Sequence, residues 1–226
     1  MTGEERPIEL AKDGGAHRWA GFDADLAAGR IDEAGWFAAA NAVIERAYLD
    51  PANDGNPRAQ SGKSGDAAAW EAARRPLMAA IDAPGDFLDI GCASGLLMES
   101  VHAWAAADGL AVEPYGLDLS PRLADLARRR LPHWAGRIWT GNALYWQPGR
   151  TFDYVRVGLE YVPAAHADAL VDRLLSYTSK RLIIGMRNED KGWRETEAAL
   201  LRPVDGRIDV PHDDRRLVRR AVWINA

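Results

Sequence analysis

The most informative segment of this 226-residue chain runs from Phe87 to Gly95 and reads FLDIGCASG. Residues 87–90 form an apolar run typical of a buried strand, and a turn of small residues follows at once. A helical pattern then opens at Gly95 and continues to Ala107. Small residues let a ligand approach the backbone, and a helix N-terminus offers free N–H groups and a positive dipole end. The turn 91–95 is therefore a candidate cofactor site.

Beyond this turn, short apolar runs alternate with helical segments. The predicted strands span residues 113–119, 137–140, 152–158, 181–186 and 217–224, and the predicted helices span residues 121–131 and 164–177. Ser120 is the expected N-cap of the first of these helices, with Pro121 at its first position. Such alternation is typical of βαβ units, so we expect an α/β fold whose mostly parallel sheet is covered on both faces.

The first 82 residues differ in texture, because they are rich in alanine and follow a helical period. One helix is expected to open after Asp32, and a polar loop follows from residue 49 to residue 66. A further helix is predicted over residues 66–81, with Asp66 as N-cap and Pro76 as a threat to its continuity. We therefore expect a helical N-terminal cap over residues 1–82 and an α/β domain over residues 83–226.

Composition and charge exclude several function classes. Hydrophobic residues make up 47% of the chain and charged residues 27%, as in ordinary globular proteins. The formal net charge of -5 gives no basic footprint for nucleic acid, and no apolar stretch is long enough for a membrane span. The N-terminus lacks a signal-peptide core, and the single cysteine excludes a disulfide framework. We expect a cytoplasmic protein without a metal site, bound to neither nucleic acid nor membrane.

The spacing of small residues in the turn narrows the choice of cofactor. A dinucleotide fingerprint reads G-x-G-x-x-G, whereas Gly91, Ala93 and Gly95 follow a G-x-A-x-G spacing, with Asp89 two residues before the first glycine. This pattern resembles the first motif of the class I S-adenosylmethionine-dependent methyltransferases, [D/E]-x-G-x-G-x-G. The departure is Ala93, which stands where the family usually has its middle glycine.

The following motifs occur in the family's order. Asp118 ends the second strand 27 residues after Gly91, and a carboxylate there can accept from both hydroxyls of a ribose diol. An acid at this place also occurs in NAD sites, so Asp118 does not separate the two cofactors. Gly141-Asn142-Ala143 resembles the family's G-D-A, whose acid lies near the adenine amino group. The amide oxygen of Asn142 could accept from that amino group in its place. Phe152-Asp153-Tyr154-Val155 resembles the fourth strand, and the resemblance covers residues 84–186.

The resemblance implies a three-layer αβα Rossmann-like sandwich with a seven-stranded sheet, and S-adenosylmethionine as cofactor with S-adenosylhomocysteine as product. The cofactor-binding residues that it implies are Asp89, Gly91, Cys92, Ala93, Ser94, Gly95, Asp118, Leu119, Asn142, Ala143 and Leu159. Cys92 is interpreted as a small space-filling residue, because no histidine adjoins it in sequence to activate it. Arg58 or Lys63, in the polar loop, could neutralise the carboxylate of the donor.

Methyl transfer from a sulfonium needs positioning and exclusion of water, and an oxygen or nitrogen acceptor can also need a general base. Glu160, in the loop after the fourth strand, is the first candidate base, and His166 is the second. The candidate substrate residues are Tyr161, Arg187, Asn188 and Trp19. Trp36 and Trp70 of the cap either wall an acceptor pocket with Trp19 or pack in the core.

Several functions remain open from the sequence. The leading hypothesis is a methyltransferase that acts on a small molecule, such as a metabolite or natural-product intermediate. The alternatives are a methyltransferase with a protein or RNA acceptor, a relative that binds the cofactor without methylating, and an NAD-linked oxidoreductase. A homodimer is one assembly that we consider.

Overall fold

The computed structural model describes residues 15–63, 65–185, 202–211 and 217–226. The α-helices are α1 (Gly15–Ala27), α2 (Glu33–Tyr48), α3 (Ala67–Arg74), α4 (Leu96–Ala107), α5 (Pro121–Arg130) and α6 (Ala167–Leu175). The strands are β1 (Gly85–Ile90), β2 (Val112–Asp118), β3 (Ile138–Thr140), β4 (Phe152–Gly158), β5 (Thr178–Gly185), β6 (Gly206–Pro211) and β7 (Leu217–Asn225). None of the helices in this part of the chain has the length and apolar character that crossing a membrane requires.

The seven strands form one sheet in the order β3-β2-β1-β4-β5-β7-β6. Strands β1 to β5 pair with one another in parallel, whereas β7 is antiparallel to both β5 and β6. The expected mostly parallel, seven-stranded α/β fold is therefore confirmed. The order reverses direction between β1 and β4, and ligands of such sheets bind at this switch point, outside the carboxyl ends of the strands.

Three predicted helix starts are confirmed by their caps. The Asp32 carboxylate accepts from the N–H of Gly35, and Asp66 accepts from the N–H of Ala69 in the same way. Ser120 caps α5 by accepting from the N–H of Leu123 at 3.1 Å. In each case a side-chain oxygen satisfies an N–H that has no partner within its helix.

The helix predicted over residues 66–81 is shorter than expected. Helix α3 ends at Arg74, and a tighter 3-10 turn continues from Arg75 to Ala80. Pro76 accounts for the change, because proline has no N–H to donate and its ring clashes with a carbonyl of the preceding helical turn. The helix predicted over residues 164–177 likewise opens with a 3-10 turn, Ala164–His166, before α6 begins.

The cap and the sheet pack together through two clusters of buried side chains, one on each face of the sheet. Trp36 of α2 is fully buried and belongs to the same cluster of buried side chains as Leu88 of β1 and Val155 of β4. The opposite face of the sheet packs against α3 and α4 through a second cluster, which includes Trp70 and Phe87. Both tryptophans thus serve core packing. The division into a cap over residues 1–82 and a domain over residues 83–226 stays a prediction.

Candidate active site

The turn after β1 lies directly against the end of β2. The N–H groups of Gly91 and Cys92 both donate to the carbonyl of Leu117, at 2.8 and 3.2 Å. Gly91 and Gly95 have left-handed φ angles of 77° and 73°, and Ala93, with φ of 48°, is the one non-glycine residue of the described chain with a positive φ. A left-handed alanine is strained, so the contacts of the turn must hold Ala93 in place.

Asp118 supplies one of those contacts. Its Oδ2 accepts from the N–H of Ala93 at 2.8 Å, and its Oδ1 accepts from the N–H of Ser120 at 2.8 Å. The residue is only 6% exposed, and burial raises the pKa of the carboxyl to about 6 although both backbone bonds oppose the rise. Each carboxylate oxygen retains a second lone pair, so the group can still accept from a vicinal diol.

Asp89, at the end of β1, is buried beside two guanidinium groups. Arg156 of β4 lies directly opposite it in the sheet, with its Nη1 3.3 Å from the Asp89 Oδ1. Burial raises the pKa of the Asp89 carboxyl, and the charges of Arg156 and Arg74 oppose that rise. The sequence prediction identified neither arginine. A signal for Arg156 was present, because it is a charged residue inside the otherwise buried strand β4.

The side chains of Cys92 and Ser94 are both buried. Ser94 is fully buried, and its hydroxyl donates to the carbonyl of Pro57 at 3.0 Å. Its Oγ also lies 2.7 Å from the Ser61 Oγ, so Ser61 must be the donor in that bond. Cys92 packs against Gly116, and burial raises its thiol pKa well above the ordinary value. The thiol therefore stays protonated and fills space, in keeping with its interpretation.

The expected cofactor residues beyond the turn follow the ends of β2, β3 and β4. Asn142 follows β3, and its Oδ1 already accepts from the N–H of Leu144 at 3.0 Å. One lone pair of that oxygen remains for an adenine N–H. Three apolar residues, Leu119, Ala143 and Leu159, are partly buried and pack against the cluster of buried side chains that includes Trp36.

Glu160 and Tyr161 occupy a 3-10 turn directly after β4. The Glu160 carboxylate folds back over Gly158, where an added Cβ would lie 2.6 Å from its Oε2. The Tyr161 ring lies over Gly91, 3.9 Å from the point that a Cβ would occupy. The structure thus brings Glu160, Tyr161 and the glycine-rich turn to one end of β1 and β4.

His166 has a different neighbourhood. Its Nδ1 lies 3.2 Å from the Oε2 of Glu33 at the start of α2, and the Tyr145 hydroxyl donates to the other oxygen of that carboxylate. His166 and Tyr145 border an open cleft of about 520 Å³ along α6. Within the described chain, no hydrogen bond, ion pair or ring contact joins His166 to the turn 91–95, so its catalytic role has no geometric support there.

The remaining candidates divide into three cases. Trp19 of α1 packs against Phe22 and Trp36 in the aromatic core of the cap, and its buried Nε1 has no hydrogen-bond partner among the described residues. Arg58 donates from its Nε to the carbonyl of Gly65 at 3.3 Å. Arg187 and Asn188 lie outside the described residues. Within the described chain, no group of three or more histidine, cysteine or acidic residues could hold a metal ion.

No family model matches the sequence, and no curated protein matches it. Solved structures match through the fold. The N-methyltransferase NodS from Bradyrhizobium japonicum WM9, in complex with S-adenosyl-L-homocysteine, superimposes with a TM-score of 0.58 at 18% identity, covering 82% of this chain and 97% of that one. Magnesium protoporphyrin IX methyltransferase (ChlM) from Synechocystis PCC 6803, with bound S-adenosylmethionine, gives 0.51 at 16% identity, covering 82% and 96%. The chain therefore has the Rossmann-like fold of these methyltransferases.

Proposed function

We propose that this chain is an S-adenosylmethionine-dependent methyltransferase that acts on a small-molecule acceptor. The observation that carries the proposal is the hydrogen bond between the Asp118 carboxylate and the N–H of Ala93. It joins an acid at the end of β2 to the glycine-rich turn after β1, beside the switch point of the sheet. An acid and an open turn at this point suit an adenosine-containing ligand.

The binding roles follow from the chemistry of each group. Asp118 accepts from the two ribose hydroxyls through its remaining lone pairs. Asn142 accepts from the adenine amino group, and Leu119, Ala143 and Leu159 provide the apolar surface around the ring. The turn 91–95 gives the ligand close access to the backbone at Gly91, which carries no side chain, whereas a Cβ at Gly95 would meet Leu131 of the core.

The chemistry asks little of the protein beyond positioning. The bound cofactor supplies a methyl group that is already activated as a sulfonium, so the acceptor needs an in-line approach and a dry site. Glu160 is the candidate base: its carboxylate lies over Gly158, at the end of β4, where it can take the proton of an oxygen or nitrogen acceptor. Tyr161, whose ring lies over Gly91, serves as a wall of the acceptor site.

The fold neighbours support the small-molecule class but not an identity for the acceptor. NodS is named as an N-methyltransferase and ChlM as a magnesium protoporphyrin IX methyltransferase. The acidic balance of this chain, with 33 acidic against 28 basic residues, disfavours an RNA acceptor. A relative that binds the cofactor without methylating remains the second candidate, because fold alone does not fix activity.

The test is release of S-adenosylhomocysteine from S-adenosylmethionine in the presence of separate small-molecule, protein and RNA fractions. We expect turnover with the small-molecule fraction, and its loss when Glu160 is replaced by glutamine. Turnover only with protein or RNA would overturn the acceptor class. Tight binding of S-adenosylhomocysteine without turnover in any fraction would favour the non-methylating binder, and binding of NADH instead would favour an oxidoreductase.

A further inference from the structure

The two residues whose N–H groups hold the Asp118 carboxylate are both contacted by the last turns of α2 in the cap. Ala93 donates to the Asp118 Oδ2 and Ser120 donates to its Oδ1, each at 2.8 Å. Ala47, in the last turn of α2, belongs to the same cluster of buried side chains as Ala93. Glu45, two residues earlier, accepts a hydrogen bond from the Ser120 hydroxyl. The cap therefore reaches both donors of the carboxylate that we assign to the ribose.

The Glu45 carboxylate uses both of its oxygens. Its Oε1 accepts from the Ser120 hydroxyl and from the Asn41 Nδ2 at 3.0 Å, and its Oε2 accepts from the Arg122 Nη1 at 3.0 Å. The Glu45 side chain is only 15% exposed, whereas the Arg122 side chain is 67% exposed. An ion pair with so exposed a partner contributes little. The bond to Ser120 is therefore the contact that ties this end of α2 to the end of β2.

Ser120 transmits this contact to Asp118. The residue is fully buried, and its Oγ accepts from the N–H of Leu123 at 3.1 Å. A hydroxyl has one proton to donate, and Glu45 is its acceptor. Without the Glu45 carboxylate, that buried proton would lose its acceptor, at a cost that favours a shift of the segment carrying Asp118.

The charge of Glu45 also acts on Asp118. Burial alone would raise the pKa of Glu45, but hydrogen bonds from Ser120, Arg122 and Asn41 hold it below its ordinary value. Glu45 therefore carries its negative charge at every pH at which Asp118 titrates.

Two acids surround the Asp118 carboxyl group. Burial is the main reason that its pKa rises to about 6, and the charges of Asp89 and Glu45 add to the rise. Asp89 is itself paired with Arg156. Cys92, also beside Asp118, stays neutral because burial raises the pKa of its thiol. Glu45 is thus an acid from the cap that opposes the charged form of Asp118 while it holds the residue in place.

We propose that Glu45 is a positioning residue for the ribose-binding carboxylate, which it holds through Ser120 and whose working pH range it sets through its own charge. The inference rests on the proposed cofactor, since only Asp118 would touch the ribose. It follows that a substitution on α2 of the cap should change a pH profile that belongs to the end of β2.

The experiment measures the affinity for S-adenosylhomocysteine by calorimetry between pH 5 and pH 8, in the wild type, Glu45→Gln and Glu45→Ala. Glutamine keeps an oxygen for the Ser120 hydroxyl but removes the charge. We expect Glu45→Gln to bind within about threefold of the wild type at pH 8, and to retain about 2- to 10-fold more of that affinity at pH 5. Glu45→Ala also loses the bond to Ser120, and should bind about 5- to 30-fold more weakly at pH 8.

Glu71→Gln is the matched control, because Glu71 is an exposed acid of the cap that pairs with Arg75. It should leave both the affinity and the pH profile unchanged. A second measurement follows the carboxyl carbon of Asp118 by NMR without any ligand, with the signal assigned by its loss in Asp118→Asn. Its midpoint should lie near pH 6 in the wild type and at lower pH in Glu45→Gln.

Each outcome supports or overturns the inference. Equal weakening by Glu45→Gln and Glu45→Ala, with the pH profile of the wild type, would mean that Glu45 only ties the cap to the sheet, and would overturn it. Unchanged affinity in Glu45→Ala would overturn it as well. If the folded wild type does not bind S-adenosylhomocysteine, the proposed cofactor fails. The NMR midpoint still decides on Glu45 in that case, and an unchanged midpoint in Glu45→Gln would overturn the inference.

Discussion

The Asp118 carboxyl group is buried, which favours its neutral form, yet only its charged form can accept from both hydroxyls of a ribose. Burial raises its pKa to about 6, from an ordinary value near 3.9 in an unfolded chain. Between about pH 4 and pH 6 the folded protein therefore binds the extra proton, so the stability that this group contributes falls as the pH rises through that window. Above it, the folded state holds a charged carboxylate at a cost of about 3 kcal/mol, which new hydrogen-bond donors can offset.

A ribose diol would be such a pair of donors, which leads to a prediction for ligand binding. Only the charged carboxylate accepts from both hydroxyls, so the affinity for S-adenosylhomocysteine should fall by up to about tenfold for each pH unit below pH 6. Titration calorimetry at several pH values measures this. Asp118→Asn should bind more weakly at neutral pH and lose the pH dependence. An unchanged pH profile in the variant would remove the ribose role.

A substitution at Glu160 can separate the rate of methyl transfer from the affinity for the cofactor. If its carboxylate takes a proton from the acceptor, Glu160→Gln should lower the rate of methyl transfer about 100-fold or more, since general bases contribute on that order. The affinity for S-adenosylhomocysteine should change little. Asp125→Asn, at an exposed carboxylate on α5, is the control for a change in surface charge. Equal turnover in Glu160→Gln and the wild type would show that Glu160 is a bystander.

At the residue scale, the sequence predicted where a side chain lies when that place follows from its position in a strand. The turn and Asp118 were predicted because a strand end carries its residues to a known edge of the sheet. The direction of the Ser94 side chain could not be predicted, because its partners Pro57 and Ser61 lie more than 30 residues away. Arg156 was not predicted for the same reason, since its partner Asp89 lies 67 residues away on a different strand.

At the scale of elements, the spacing of apolar residues and the turn residues between them predicted most strands of the sheet. Strands β1 to β5 and β7 have apolar runs bounded by turn residues, and parallel pairing buries such runs on both faces. β6 was not predicted, because its alternation of charged and apolar residues over Arg207–Val210 is short and lies at the edge of the sheet. The helix predicted over residues 66–81 was too long. The spacing of apolar residues continues past Arg74, but Pro76 ends the α-helix there.

The cap loop between α2 and α3 is an element whose contact with the turn can be tested. Ser61 donates to Ser94, so Ser61→Ala leaves the loop with one docking bond fewer, worth about 1 kcal/mol. We expect S-adenosylhomocysteine to bind about 2- to 10-fold more weakly, with a small loss of thermal stability. Ser176→Ala, at the end of α6, removes a comparable hydroxyl bond far along the chain and serves as control. If the variant binds S-adenosylhomocysteine as tightly as the wild type, the contact between this loop and the turn does not contribute to cofactor binding.

At the scale of the whole molecule, two clusters of buried side chains join the cap to the sheet, which predicts one folding unit. Trp36→Ala removes a fully buried ring and should lower the free energy of unfolding by about 3–5 kcal/mol. Circular dichroism and tryptophan fluorescence should still report one coincident transition in the wild type. Tyr145→Ala, at a residue 62% exposed, should cost much less. Two separate transitions in the wild type would instead support a cap that folds independently.

The central claim for the whole molecule is that the switch point of this sheet takes an adenosine-based methyl donor. Calorimetric titration of the wild-type protein with S-adenosylhomocysteine, with NADH as the comparison ligand, tests it most directly. We predict saturable binding at one site with a micromolar Kd, about -8 kcal/mol, and no binding of NADH. Absence of binding by S-adenosylhomocysteine, or preference for NADH, would contradict the claim.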